Sequence, residues 1–314
     1  MPEAHDLYEV TGSLPDLDRP VLVQAMTGFV DAGGATRLAR DQMLAADDAQ
    51  LVVRFDIDAL LDYRSRRPTM LFVEDHWESY EEPQLAIYQA TDQQGTDFLL
   101  LTGPEPDLSW ERFTTAVIGI VERAGVRLTV GFNSIPMAVP HTRPTGVTAH
   151  ASNRDLIAGY EPWLQRVQVP GSAGHLLEYR LGQQGHDAMG FAVHVPHYLA
   201  QTEFPQAAEQ LITSLSRSTG LILATDSLRK SSVEVRAEVD RQIAENPEAA
   251  ALVESLETQY DTYLRGRATG NLLATSGPLP TAEELGAELE RFLANQTNPP
   301  GQGNQPGEGP RPQE

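Results

Sequence analysis

Five short segments concentrate the side chains that could do chemistry. In Gly28-Phe29-Val30-Asp31-Ala32-Gly33-Gly34 the glycines Gly28 and Gly33 have the spacing of a phosphate-binding loop. Such a loop needs a lysine to neutralise phosphate and a serine or threonine to hold magnesium, directly after its second glycine. Gly34 and Ala35 stand there instead, which disfavours nucleoside-triphosphate hydrolysis. The dinucleotide fingerprint, with glycines at its first, third and sixth positions, is not matched either. Backbone amides at a helix start attract anions, but Asp31 sits among them and opposes this. Two readings remain open. Either the glycines permit a turn and close helix-to-sheet packing while Asp31 caps the helix, or Asp31 points into a cleft and accepts hydrogen bonds from a ligand hydroxyl or amine. Gly28, Asp31, Gly33 and Gly34 are therefore ligand-binding candidates.

The second segment, Asp62 to Pro68, carries Arg64, Arg66 and Arg67 ahead of a strand. Paired guanidinium donors of this kind hold carboxylate or phosphate, or form salt bridges within an acidic protein or at a subunit interface; Arg66 and Arg67 are the candidates. The third, Gly103-Pro104-Glu105-Pro106-Asp107, follows a strand, and Glu105 between two prolines is a candidate acid or base. Turn formation and helix initiation by Asp107 explain the same residues without chemistry. The fourth kind is histidine-bearing. Pro140-His141-Thr142-Arg143-Pro144 offers His141 as general acid or base and Arg143 as an anion clamp, or else a rigid turn. His194-Val195-Pro196-His197-Tyr198 has two histidines three apart, but Pro196 between them opposes the helix a metal pair would need. His194 and His197 stay as ligand candidates, and no metal or cofactor is expected. No Gly-x-Ser-x-Gly elbow supports a serine triad.

Composition narrows the classes further. The chain has 314 residues and no cysteine, so disulfide, thiolate and cysteine-zinc chemistry are excluded. Its 44 acidic against 23 basic side chains give a net charge of -21, a field that repels nucleic acid and anionic lipid. Lys230 is the only lysine, and it lies in a polar run without a glycine loop. The longest apolar runs stop far short of the ~20 residues of a membrane span. Met1 to Val10 has neither a basic start nor an apolar stretch. A cytoplasmic protein binding neither nucleic acid nor membrane is expected.

The elements that must position these segments read as alternating strands and helices. Val21 to Met26 is a strand leading through the glycine loop to a helix over Ala35 to Ala46. Further strands are expected at Gln50 to Phe55, Met70 to Val73, Leu85 to Gln89, Phe98 to Leu101, Arg127 to Phe132 and Ala188 to Val195. Between the strands at Phe98 and Arg127, the side chains Trp110, Phe113, Val117, Ile120 and Val121 recur at helical spacing behind Asp107 as N-cap. This βαβ unit makes the class α/β, with ligands expected beyond the carboxyl ends of the strands. From Pro205 onward the pattern turns helical: Gln206 to Arg217, a strand-like piece Leu221 to Ala224, then Ser232 to Glu245 and Pro247 to Leu264. Asn246 and Pro247 cap and start the latter. A last helix is expected from Thr281, and the Pro-, Gly- and Gln-rich stretch after it is expected to be disordered.

Taken together, these positions resemble the proteasome assembly chaperone 2 family in its actinobacterial branch. The resemblance rests on Val21 to Gly34, Asp62 to Pro68, Gly103 to Asp107 with Trp110, Pro140 to Pro144 and His194 to Tyr198. It continues through Leu256-Glu257-Thr258-Gln259-Tyr260-Asp261 and Leu279-Pro280-Thr281. It implies an α/β fold, a phosphorylase/hydrolase-like three-layer sandwich with a mostly parallel sheet, plus a small C-terminal helical subdomain. Residues 1–229 would form the core, 230–294 a helical extension packing on it, and 295–314 a disordered tail. The resemblance also implies self-association, a trimer being favoured, and a possible protein partner, but no reaction. The tail lacks the hydrophobic-tyrosine-any ending with which eukaryotic members dock on the proteasome. The expected function is a non-catalytic, oligomeric assembly or scaffolding protein. The alternatives are a hydrolase or phosphorylase-like enzyme on a small polar metabolite, with Asp31, Glu105, His141 and Arg143 converging, or a small-molecule sensor with a vestigial pocket.

Overall fold

The computed structural model describes residues 7–28, 30–45, 49–162 and 166–268. The expected helix from Thr281 and the tail lie outside the described residues. The continuous apolar run β2 (Val21–Thr27) is buried along nearly its whole length because both faces of its sheet are covered. Its odd-numbered residues Val21, Val23 and Ala25 enter one core, and Leu22 and Met26 enter another.

Three more strands run parallel beside it: β7 (Asp97–Pro104), β8 (Leu128–Met137) and β10 (Ala188–Pro196), in the order β7-β2-β8-β10. The expected βαβ unit is present as β7, helix α2 (Trp110–Arg123) and β8, and it steps over β2, which lies between its two strands. Antiparallel strands complete the sheet on both sides. On one side are β6 (Ala86–Thr91), β3 (Gln50–Phe55) and β1 (Tyr8–Val10), and on the other is β9 (Val147–Ala151).

Helices α1 (Ala35–Leu44) and α4 (Pro205–Thr219) pack together on the face of Val21 and Val23. Helices α2 and α3 (Ala173–Gln183) cover the opposite face, where Leu22, Leu99 and Leu101 meet Phe113, Val117 and Leu177. The result is a three-layer α/β sandwich. Helix α5 (Asp226–Ala244) packs on α4, and α6 (Pro247–Ala268) packs on α5. Asn246 accepts from the amides of Glu248 and Ala249, so it caps α6 as expected. The expected division after residue 229 falls inside α5.

One local expectation holds outside the main sheet, and two need correction. Met70 to Val73 is a strand, β4 (Met70–Val73), but it pairs only with β5 (His76–Tyr80), a separate hairpin outside the main sheet. Leu221 to Ala224 joins no sheet; the Ile222 amide instead donates to the Asp92 carboxylate at 2.8 Å. Asp107 does not cap α2. Ser109 holds that position in a left-handed conformation, and Asp107 is drawn away to accept from the Asp62 amide and to pair with Arg66.

Candidate functional site

The loop after β2 is built first for packing. Gly33 has φ +64°, and a Cβ there would stand 2.8 Å from the Cβ of Phe204. Its amide donates to Ala200 and its carbonyl accepts from Phe204. Gly34, at φ +58°, lies under the Arg37 guanidinium. Asp31 turns toward its own helix: one carboxylate oxygen accepts from the Thr36 amide at 2.8 Å and the Ser134 hydroxyl at 2.9 Å, the other from the Arg37 amide at 3.1 Å. The helix-capping reading thus describes most of what this carboxylate does. Asp31 also lines a cavity, described below.

Arg66 ties three segments together. Its guanidinium donates to the Glu105 carbonyl at 2.8 Å, pairs with Asp107 at 2.8 Å, and lies so close over Gly28 that a Cβ there would be 2.5 Å from Nη1. Gly28 also has φ +128°, so a side chain is excluded there twice over. Arg67 is exposed and takes no part in this knot. Glu105 is 6 % exposed, and its carboxylate accepts from the Ala173 amide at the start of α3. Burial pushes its carboxyl above the usual carboxylate range, against that hydrogen bond and the nearby Arg66.

His141 and Arg143 go elsewhere. His141 is buried, with Nδ1 at 2.7 Å from the Tyr198 hydroxyl and Nε2 at 2.9 Å from Asp240 on α5. A carboxylate only accepts, so Nε2–H donates to Asp240, and the Tyr198 oxygen also accepts from the His141 amide. Arg143 makes a two-pronged bond to Asp261 at 2.8 Å for each prong and reaches Glu257 at 3.1 Å, both on α6. These carboxylates hold its guanidinium more firmly protonated than usual. Asp31, Glu105, His141 and Arg143 therefore do not converge on one substrate. Two of them line a cavity, and the other two fasten the 140–144 turn to the carboxyl-terminal helices.

His194 and His197 form no metal pair. His194 is buried on β10 with Nε2 at 2.8 Å from the Thr148 hydroxyl, and burial pushes its imidazole down to about 4. His197 stacks edge-on against Tyr198 beyond the end of β10. Among the described residues no group of three or more His, Asp or Glu is arranged to hold a metal ion.

The cavity lies between the sheet and α3, and most of its polar side chains escaped the reading of the sequence. One row of residues crosses four strands: Gln24 pairs with Gly131, Gly131 with Gly190, and Gly190 with His150. The two central glycines leave a trough, and the side chains from both ends lie over it. A Cβ on Gly190 would sit 2.3 Å from the His150 ring, and one on Gly131 would sit 3.1 Å from the Gln24 amide oxygen. Gly174 on α3 gives Gln24 room from above.

His150 bonds Glu178 at 2.9 Å, His175 lies 3.4 Å from Asn133, and the two imidazoles meet edge-on with centroids 5.9 Å apart. Burial, then the neighbouring His150, lowers the His175 imidazole. The signals available in the sequence were Ser172, whose side chain caps α3, the spacing of His175 and Glu178 on one helix face, and glycines inside two strands, which mark close approach.

Comparison with known proteins agrees with this architecture. A Mycobacterium tuberculosis protein of unknown function, Rv2714, is 47 % identical, with 93 % of this chain and 97 % of that one covered and a TM-score of 0.82. A Corynebacterium glutamicum protein of unknown function is 36 % identical over 82 % of this chain and 98 % of that one, with a TM-score of 0.79. The M. tuberculosis proteasome-assembly chaperone homologue Rv2125 shares the fold at 24 % identity, over 74 % of this chain and 99 % of that one, with a TM-score of 0.69. No curated protein matches the chain. The model of the PAC2 family matches residues 25–243, a span that holds the glycine loop, strands β7, β8 and β10 and all of the cavity lining except Gln24, and the chain belongs to that family.

Proposed function

We propose that this chain is a non-catalytic, self-associating scaffold for protein assembly, a reading supported by its likeness to a protein described as a proteasome-assembly chaperone homologue. The hairpin β4–β5 carries the reading. Met70, Leu71, Phe72, Trp77 and Tyr80 are 46–62 % exposed on it, and Phe72 and Trp77 pack against each other with ring centroids 5.0 Å apart. An isolated two-stranded hairpin is marginal in water, and apolar side chains clustered at the surface mark contact sites. Such an element needs a cover that is always present, and a second copy of the chain is.

The charges beside it suit the same occupant. Exposed Arg64 and Arg67 precede the hairpin, while Glu74, Asp75, Glu78, Glu81 and Glu82 lie on or after it. A symmetric contact sets the arginines of one copy against the carboxylates of the next. Three copies is the number the family resemblance implies. The proposal includes a cytoplasmic setting and the carboxyl-terminal helices as an extension strapped to the core through Arg143 and His141. A catalytic role has less support, because those two residues are spent on that strap.

The test is the solution mass of the full chain by light scattering, beside a Phe72→Ser, Trp77→Ser variant. The expected result is a multiple of the 34.4 kDa chain mass for the natural sequence and a folded single chain for the variant. A monomeric natural chain, or a variant that assembles equally well, would overturn the proposal.

A further inference from the structure

Under α3 the fold leaves two polar groups with bonding capacity to spare, one on each side of the glycine trough. Gln24 is 7 % exposed, and no described residue hydrogen-bonds its amide. On the other side, Glu178 bonds the His150 imidazole at Nδ1. A carboxylate only accepts, so Nδ1 carries the proton and Nε2 of the neutral ring keeps a lone pair, with no partner among the described residues. The polar side chains around them are engaged. Asn133 accepts from the Ser134 amide and lies 3.4 Å from His175, and Glu178 is taken up by His150.

The two groups converge. The Gln24 amide oxygen stands 3.1 Å from where a Cβ of Gly131 would be, and His150 Nε2 stands 2.9 Å from where a Cβ of Gly190 would be. These glycines are register partners on the adjacent strands β8 and β10, about 4.8 Å apart. A Cβ on Gly174 would be 2.8 to 3.2 Å from the oxygen, carbon and nitrogen of the Gln24 amide. Helix α3 therefore covers the flat face of that amide and leaves its edge, oxygen foremost, toward the trough. A larger residue at 131, 174 or 190 would close the space. The cavity measures about 40 Å³. One water needs about 10–15 Å³ by this measure, so a group of about four heavy atoms fits. A surface groove beside Tyr179 and Gly182 shares His175 and Glu178 with the cavity, which gives a way in.

The unspent atoms select the ligand. The Gln24 edge offers one acceptor and one donor side by side, and His150 Nε2 offers an acceptor only. A primary carboxamide answers both: its carbonyl and one N–H pair with Gln24, while its second N–H points away across the glycines to Nε2. A carboxylate has no N–H to give, and no lysine or arginine lines the cavity to offset its charge. An ammonium ion leaves the Gln24 donor unmatched. We infer that this cavity binds a primary carboxamide group, paired with the Gln24 amide and donating to His150 Nε2. The site is independent of self-association and does not involve the hairpin.

Acetamide is the probe, with acetate and acetone as anionic and neutral controls of the same shape. The full chain, isotope-labelled at histidine Cε1, is titrated with each and followed by NMR. A saturable shift of the His150 signal is expected with acetamide and not with acetate or acetone. Gln24→Met keeps the length of the side chain and removes both hydrogen-bonding atoms, so apparent affinity should fall about tenfold or more. In His150→Phe, followed at His175, whose ring centroid lies 5.9 Å from that of His150, it should fall about threefold to tenfold. His150 lies on the edge strand β9, so His150→Phe carries the test should Gln24→Met not fold. Three outcomes would overturn the inference: no saturable response to acetamide, an equal response to acetate or acetone, or an affinity unchanged in the variants that fold.

Discussion

Asp31 shows how a residue conspicuous in sequence can be absorbed by structure. Its carboxylate satisfies two amides at the start of α1 and the Ser134 hydroxyl. Asp31→Ala should therefore cost about 1–2 kcal/mol in urea unfolding, as lost helix caps do, with Asp31→Asn recovering part of it. His194 supplies a pH-dependent prediction. Burial lowers its imidazole from 6.5 to about 4. The unfolded chain thus takes up the proton first, and the stability His194 confers is complete above 6.5 and lost as pH falls toward 4. His194→Gln should remove about 3 kcal/mol of the stability difference between neutral pH and pH near 4, at 1.36 kcal/mol per unit. Equal pH dependence in both proteins would contradict the burial argument.

Glu105 has the opposite sign. Its folded carboxyl is raised by burial, so the stability it confers is present at low pH and lost as pH rises through the raised value. Glu105→Gln should stabilise the chain relative to the natural sequence on the alkaline side, with the gap closing toward acid. What was legible at this scale was the chemical type of the single residue. The partners were not, because Asp240, Glu257 and Asp261 lie about a hundred positions from His141 and Arg143 and carry no local signature.

Strands were legible where both faces are apolar, as in β2, β7 and β10, since a continuous buried run has few other homes. β9 and α3 were missed for a shared reason: their inward faces carry His150, His175 and Glu178, which break the apolar periodicity by which elements are recognised. The cavity was hidden with them. Glycine inside a strand was the surviving trace, and Gly190→Ala tests its meaning. The new methyl should displace the His150 ring, which would be only 2.3 Å away, and a changed His150 Nδ1 environment should appear by NMR in a chain that still folds.

The carboxyl-terminal helices make a second prediction at this scale. Arg143 joins the turn after β8 to α6 through Asp261 and Glu257, assisted by the Tyr260 hydroxyl donating to the Pro144 carbonyl. Arg143→Ala should therefore speed amide exchange in α6 while leaving β2 and β8 protected. Unchanged α6 protection would mean that the helix is held by packing of Val253 and Leu256 alone.

At the scale of the molecule, the sandwich is self-contained and the hairpin is not. Two cores close above and below the sheet, yet β4–β5 projects apolar side chains from both strands with no described element over them. Alternation and turn signals revealed β4 as a strand but not its isolation, because strand pairing is a property of the whole chain. In the proposed assembly a second copy would cover that surface. Amide hydrogen exchange in residues 70–80, measured as a function of protein concentration, tests this most directly. The account predicts protection that rises with concentration and vanishes in the Phe72→Ser, Trp77→Ser variant. Exchange in this hairpin that is the same at every concentration would contradict it.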